Sequence, residues 1–319
     1  MTRAAGIATD GRPRWRRPRA LVPGDRIAVV APASPFNPAD LEAGIRELRA
    51  CGFEPVFEDT LFARTGFLAG DPASRAAALT RAWQDEANAA IIAARGGYGS
   101  TQVLAYLDPS KFKAKVFIGS SDLTSFQVWL LQRAGIVTFH GPMVASTMSR
   151  GIEGYDRDVF VRAITQAEPL GELPAPALET LVPGEAAGPL VGGTLAQLGA
   201  SLGTPYAFDP PNGCILFLED VQERPYRLHR LVTQLSLNGM LARAAGIILG
   251  TFPGCDEPSF SARDTLAELF ASFTGPVVYG LPVGHVDGPA LTIPLGVQVR
   301  VVAGSSARVI VEEAAVEAA

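Results

Sequence analysis

Near-continuous apolar runs, separated by stretches with helical spacing, constrain this chain more than anything else in its sequence. Arg26-Ile27-Ala28-Val29-Val30-Ala31 reads as a strand buried on both faces. Asn37-Pro38 then predicts an N-cap with proline at the first helical position; Leu41, Ile45 and Leu48 share one helical face, and Gly52 marks the stop. Asp71-Pro72 opens a second helix through Leu79 and Trp83, which feeds the apolar run Ala89 to Ala94. Val116-Phe117-Ile118 predicts another strand, Leu123 to Leu131 a helix, and Ile136 to Phe139 a short strand. Strands of this kind, with helices between them, require a parallel sheet covered on both faces. The expectation is an N-terminal α/β domain over residues 21–146.

From residue 147 to 187 the pattern weakens. One helix, about Tyr155 to Gln166, is followed by Glu168-Pro169, Leu173-Pro174-Ala175-Pro176 and Val182-Pro183-Gly184, which reads as a connection between domains. A second, smaller α/β domain is expected over 188–319. It has helices near Thr194–Leu202, Pro225–Leu237 and Ser261–Phe273, and strands at Cys214–Leu218, Gly246–Leu249 and Pro276–Tyr279. Val297 to Val301 and Ala307 to Val311 largely alternate, which predicts half-exposed antiparallel strands at the end of the chain.

Composition narrows the partners. A net charge of −5 with 18% charged residues gives no global basic field, so nucleic acid is not expected as a partner. The arginines at 12, 14, 16, 17 and 19 precede Leu21-Val22-Pro23-Gly24-Asp25, which breaks any apolar segment; residues 1–20 read as a disordered basic tail, not a leader peptide. No stretch is long and apolar enough to span a bilayer. Cys51, Cys214 and Cys255 are widely separated and odd in number, which suits neither a disulfide framework nor a zinc site and points to the reducing cytoplasm.

Three features carry candidate chemistry. Arg95-Gly96-Gly97-Tyr98-Gly99-Ser100 follows a buried strand; its glycines allow backbone N–H groups to face a ligand, although a plain tight turn uses the same residues. It matches neither the dinucleotide fingerprint nor the P-loop. Gly119-Ser120-Ser121-Asp122-Leu123-Thr124 places a serine on a sharp turn at a helix start, followed by an N–H suited to an oxyanion; the same residues are also good N-caps. Glu219, first off the apolar strand Leu216-Phe217-Leu218, can orient a histidine or form an ion pair with Arg224, Arg227 or Arg230. The only histidines are His140, His229 and His285, and His285 sits in a Gly/Pro-rich turn after a strand. Serine, acid and histidine thus occur in an order that supplies a nucleophile, a base and an orienting group.

Arg95-Gly96-Gly97-Tyr98-Gly99, Phe117 to Thr124, His140-Gly141-Pro142-Met143, Leu218 to Val221 with Pro225-Tyr226-Arg227, and Gly284-His285 together resemble the LD-carboxypeptidase family. Gly24 to Pro32 and Gly203-Thr204-Pro205-Tyr206 fit it as well, so the likeness runs from about Pro23 to Val302. The resemblance implies a serine peptidase with an N-terminal domain related to class I glutaminases. It assigns Ser121 as nucleophile, Glu219 as acid and His285 as base. The oxyanion hole falls to the N–H groups of Asp122 and Gly97, with Gly96 as the alternative donor; Arg95 and Tyr98 are candidate substrate-binding residues. It further implies release of terminal D-alanine from murein tetrapeptides by a cytoplasmic homodimer in cell-wall recycling, with a muropeptide or other small peptide as partner and no cofactor or metal. Ser120 stands where the family usually has Tyr, Gln222 where it has Gly, His229 where it has Asp and Thr194 where it has Asn. A microcin-immunity peptidase of the same family is the second reading, and it needs an aromatic platform for a base. Between residues 147 and 185 this chain offers Tyr155 and Phe160 but no Trp. A catalytically silent muropeptide-binding protein is the third.

Overall fold

The computed structural model describes residues 6–7 and 13–319. The disorder expected for residues 1–5 and 8–12 lies outside the described residues. For Trp15 to Ala20 that expectation is corrected. The Trp15 indole N–H donates to the Leu131 carbonyl at 2.9 Å, and the Arg16 guanidinium donates to the carbonyls of Phe112 and Ala134. Arg19 forms a two-pronged pair with Asp25, and Ala20 N–H donates to the Glu317 carbonyl. The basic side chains serve here as donors to carbonyls that a helix end and a loop leave unpaired.

The first sheet begins with β1 (Arg26–Val30), α1 (Pro38–Ala50), β2 (Glu54–Val56), α2 (Pro72–Gln84) and β3 (Asn88–Ala93). It continues through α3 (Ser100–Val103), β4 (Val116–Gly119), α4 (Thr124–Trp129) and β5 (Thr138–His140). Asn37 and Asp71 cap their helices as expected, accepting from Ala39 N and Ser74 N with proline following. Ser121–Leu123 forms a tight 3₁₀ turn ahead of α4, so the helix starts one residue later than predicted. The strands pair in parallel in the order β5-β4-β3-β1-β2, and β3 and β4 are almost wholly buried.

After α5 (Arg157–Thr165) come β6 (Gly171–Glu172), β7 (Glu179–Val182), β8 (Gly184–Thr194), α6 (Leu195–Ser201) and β9 (Cys214–Glu219). The chain proceeds through α7 (Pro225–Leu237), β10 (Ala244–Leu249), α8 (Ala262–Phe270), β11 (Val277–Tyr279), β12 (Ile293–Leu295), β13 (Gln298–Ala303) and β14 (Arg308–Val311). Eight of these strands form a second sheet, ordered β6-β14-β13-β8-β9-β10-β11-β7. Its centre, β8 to β11, is parallel, and its flanks are antiparallel, as the alternating C-terminal segments predict. The segment between the two expected domains therefore carries edge strands β6 and β7 of this sheet. β12, which has no clear signal in the sequence, crosses back and pairs antiparallel with β5 in the first sheet. Pro294 is tolerated there because β12 is an edge strand. Its crossing ties the two sheets along one seam.

Candidate active site

Both halves of the site lie at the carboxyl ends of parallel strands, where open α/β sheets place their ligands. From the first sheet, β4 ends at Gly119, Ser120 is extended and buried, and Ser121 adopts a left-handed conformation with φ 59°. For a residue with a Cβ that conformation costs roughly 1–3 kcal/mol and is retained at functional turns. Capping does not explain it, because no side chain of Ser120 or Leu123 caps this turn. The Asp122 carboxylate instead accepts the Ser100 N–H at 2.7 Å, fixing the start of α3 against the start of α4. Burial pushes the Asp122 carboxyl up, against hydrogen bonds from Ser100 and Gly99 and the charge of Arg75.

The glycine-rich loop lies against the same turn. A Cβ on Gly96 would stand 2.9 Å from the Ser121 Cβ, so only glycine permits that approach. Ser34 N–H donates to the Gly96 carbonyl at 3.2 Å, and Tyr98 N–H donates to Ser34 Oγ at 3.1 Å. Gly97 takes φ 101°, and a side chain there would collide with Ser34 Oγ. Beneath the loop, the buried Arg75 guanidinium donates to the carbonyls of Pro32, Gly70 and Gly99 and to Gln102 Oε1. Sequence reading missed both Ser34 and Arg75; the available signal for Arg75 was its place beside Ala76 and Leu79 on the buried face of α2.

From the second sheet, β9 ends on Glu219, which is fully buried. Its Oε2 accepts His285 N–H at 3.0 Å and His285 Nδ1–H at 2.7 Å. Its Oε1 accepts the hydroxyl of Thr194, its register partner on β8. Gly284 and Gly250 make room: a Cβ at Gly284 would lie 2.6 Å from the Glu219 carboxyl, and one at Gly250 2.7 Å from the Glu219 Cβ. Burial opposes ionisation of Glu219, but the hydrogen bond and charge of His285, the nearby His140 and the Thr194 hydroxyl together outweigh it and hold the carboxyl at about 2. Burial likewise opposes protonation of His285, yet the Glu219 carboxylate lifts its pKa above the usual histidine value. Nδ1 is committed to Glu219, leaving the Nε2 lone pair to accept a proton. Arg224, Arg227 and Arg230 do not pair with Glu219; Arg224 meets Glu257, Arg227 meets Glu223, and Arg230 lies over the Tyr226 ring.

Two of the contacts that join the halves lie beside Glu219 and the Ser121 turn. Thr194 N–H donates to Thr124 Oγ1 at 3.1 Å, one turn along from Ser121, and Gly193 has no Cβ to collide with that threonine. His140, the register partner of Gly119, places Nε2 3.8 Å from Glu219 Oε1. The structure thus brings Glu219 and His285 into direct contact, at a seam shared with the Ser121 turn. The hydrogen bonds of His285 run to Glu219 and Thr251, not to Ser121. Arg95 is exposed, with Nη1 on the Pro35 carbonyl at 3.2 Å, and Tyr98 is half exposed, edge-on to Phe67 with ring centroids 5.7 Å apart. His229 lies on the exposed face of α7, against Thr233.

The family description of the LD-carboxypeptidase N-terminal domain matches residues 27–141, and that of the C-terminal domain matches residues 187–301. The chain belongs to the LD-carboxypeptidase family. It is 34% identical to the murein tetrapeptide carboxypeptidase of Pseudomonas aeruginosa over 272 residues, 82% of this chain and 88% of that protein. The muramoyltetrapeptide carboxypeptidase of Oxalobacter formigenes superposes with a TM-score of 0.80 at 29% identity, covering 90% of this chain and 99% of that one. The microcin C7 self-immunity protein shares the fold, with a TM-score of 0.85 at 22% identity over 93% of this chain and 99% of that one. As an LD-carboxypeptidase family member, the chain is a hydrolase of peptide bonds. No helix among the described residues is long and apolar enough to cross a membrane.

Gln222, where the family resemblance leads one to expect glycine, has φ 56° and an exposed side chain, with its N–H donating to the Pro253 carbonyl. Glycine relieves a left-handed strain of about 1–2 kcal/mol but loses roughly 0.5–1 kcal/mol of chain entropy. Gln222→Gly is therefore expected to stabilise the fold by about 0.5–1 kcal/mol, read as a higher urea midpoint at unchanged slope. A midpoint lowered by the glycine would show that the Gln222 backbone is unstrained.

Proposed function

We propose that this LD-carboxypeptidase is a serine enzyme that releases terminal D-alanine from murein tetrapeptides by hydrolysing an L,D peptide bond. Ser121 is the nucleophile, His285 the base and Glu219 the acid that orients it. The observation that carries this reading is the buried Glu219 carboxylate bound to both N–H groups of His285, across a seam from a strained serine. Nε2 of His285 takes the Ser121 proton as Oγ attacks the scissile carbonyl carbon. The N–H groups of Asp122 and Gly97 stabilise the resulting oxyanion, and Gly96 admits the approach of the loop. The tetrahedral adduct collapses with cleavage of the C–N bond, His285 passes the proton to the departing amine of D-alanine, and water hydrolyses the acyl-enzyme by the same route. Arg95 and Tyr98 stand at the loop's exposed face, where they serve as contacts for the substrate's terminal carboxylate and side chains. The cytoplasm suits three cysteines that form no disulfide.

The test is incubation with a defined murein tetrapeptide and a coupled D-amino-acid readout, with mass analysis of the tripeptide. Stoichiometric free D-alanine is expected. An intact tetrapeptide, beside turnover of an aminoacyl-nucleotide conjugate, would overturn the substrate assignment. Tyr155 and Phe160 weigh against the nucleotide reading, since both are fully buried and packed edge-on against each other, leaving no face for a base.

The pH profile supplies a second check. Protonated His285 has no lone pair on Nε2, so activity must fall as pH drops through its pKa. Because Glu219 raises that pKa, the acidic limb of kcat/KM is expected with a midpoint above 6.5. A midpoint below 6.5 would mean that His285 is not the base.

A further inference from the structure

His140 has no place in the mechanism above, yet it is fully buried and neither ring nitrogen has a hydrogen-bond partner among the described residues. A buried polar group without partners is costly, on the order of 1–3 kcal/mol, so its retention needs a reason. Its ring stands edge-on to Phe217 on β9, with centroids 5.4 Å apart, and its Nε2 lies 3.8 Å from Glu219 Oε1. Glu219 already has Oε2 on His285 and Oε1 on Thr194. His140 thus closes the remaining side of the carboxylate.

We propose that His140 is a positioning residue: as a neutral imidazole carrying its proton on Nε2, it turns that N–H toward Oε1 of Glu219 and keeps the carboxylate's other oxygen on His285. The proposal rests on reading Glu219 and His285 as the working acid–base pair. Neutrality follows from the setting, since full burial holds His140 at about 4, against the charge of Glu219 and with that of His285. Those two groups face His140, and Asp220 faces His285 from the end of β9. A neutral donor suits this position better than a cation. An imidazolium here would draw charge from Glu219 and weaken the pull of Glu219 on His285. The Nε2–H form also leaves Nδ1 as an acceptor. Thr138, two residues earlier on β5, and Thr292, beside the register partner Ile293, carry buried hydroxyls that likewise have no partner among the described residues.

With only three histidines in the chain, imidazole ¹⁵N–¹H spectra of the resting protein give resolvable signals that single substitutions assign. His140 is expected to show the neutral Nε2–H pattern throughout pH 5–8. His140→Phe keeps a ring against Phe217 but removes the donor, so Glu219 bears more uncompensated charge and the His285 titration midpoint should rise. His140→Gln restores an N–H at a similar reach and should return the midpoint toward that of the natural protein. In turnover, groups that orient a functional histidine from behind are worth about 10–100-fold where measured at metal sites. His140→Phe is expected near the lower figure, in kcat and not KM. A His140 that titrates within pH 5–8, a proton on Nδ1, or a His285 midpoint unmoved in His140→Phe would overturn the proposal. The spectra need no substrate. A failed D-alanine assay with a shifted His285 midpoint would therefore reject the substrate assignment alone.

Discussion

Ser121→Ala is expected to lower the rate of D-alanine release by a factor on the order of 10⁴ or more, because in the proposed mechanism Ser121 is the nucleophile and its removal leaves only binding and oxyanion stabilisation. Ser120→Ala is expected to stay within a few-fold of the natural protein. The two serines are adjacent, and local composition does not separate them. Their backbones do: Ser120 is extended and buried, whereas Ser121 is left-handed, partly exposed and in contact range of Gly96. Ser121 Oγ and Asp122 N lie 3.2 and 3.4 Å from where a Gly96 Cβ would stand, so both border the same space beside the loop. Ser121→Gly adds a test from stability. It should be inactive and yet no less stable than the natural protein, since glycine accepts φ 59° without strain. Coupled D-amino-acid assays on both alanine variants decide the matter, and a dead Ser120→Ala beside an active Ser121→Ala would reverse the assignment.

The elements around this turn were legible because their signals are local. An Asn or Asp followed by proline fixes the starts of α1 and α2, and the short, turn-bounded apolar runs of β1, β3, β4 and β9 read as buried strands. Glu219 and His285 were legible as candidates because each sits where a strand yields to a turn. What escaped depends on distant partners. Arg16 finds its carbonyls more than ninety residues along the chain, and nothing near it announces them. β12 is three residues with a proline at its centre, and it becomes a strand only because β5 offers an edge. Arg75 shares the buried face of α2 with Leu79 and Trp83, but the carbonyls of Pro32, Gly70 and Gly99 that it serves come from loops whose approach the helix does not announce. His140 was visible as one of few histidines, but its closeness to Glu219 arises only where β5 and β9 meet across the seam.

Glu219→Gln is expected to reduce kcat by about 10³–10⁴, with the acidic limb of the pH profile moving to lower pH. The side chain keeps its size, so the packing of Gly250 and Gly284 against it is preserved. The chemistry is not preserved. The hydrogen-bond partners of the carboxylate among the described residues are all donors: His285 N–H, His285 Nδ1–H and the Thr194 hydroxyl. If the amide NH2 turns to His285, it confronts two donors and forces the ring proton onto Nε2, which removes the base. If the amide oxygen turns there, the tautomer survives, but the imidazolium formed during attack loses its counter-charge. In enzymes whose triad acid has been converted to the amide, the loss is about 10⁴ in kcat. The direction of the pH shift follows from the same contact: the Glu219 carboxylate is what raises His285 against its burial, so without it burial prevails and the ring releases its proton at lower pH. A merely structural role for Glu219 would instead lower the unfolding midpoint and leave the limb in place. Activity within tenfold of the natural protein, at an unchanged limb, would show that His285 is not driven by this carboxylate.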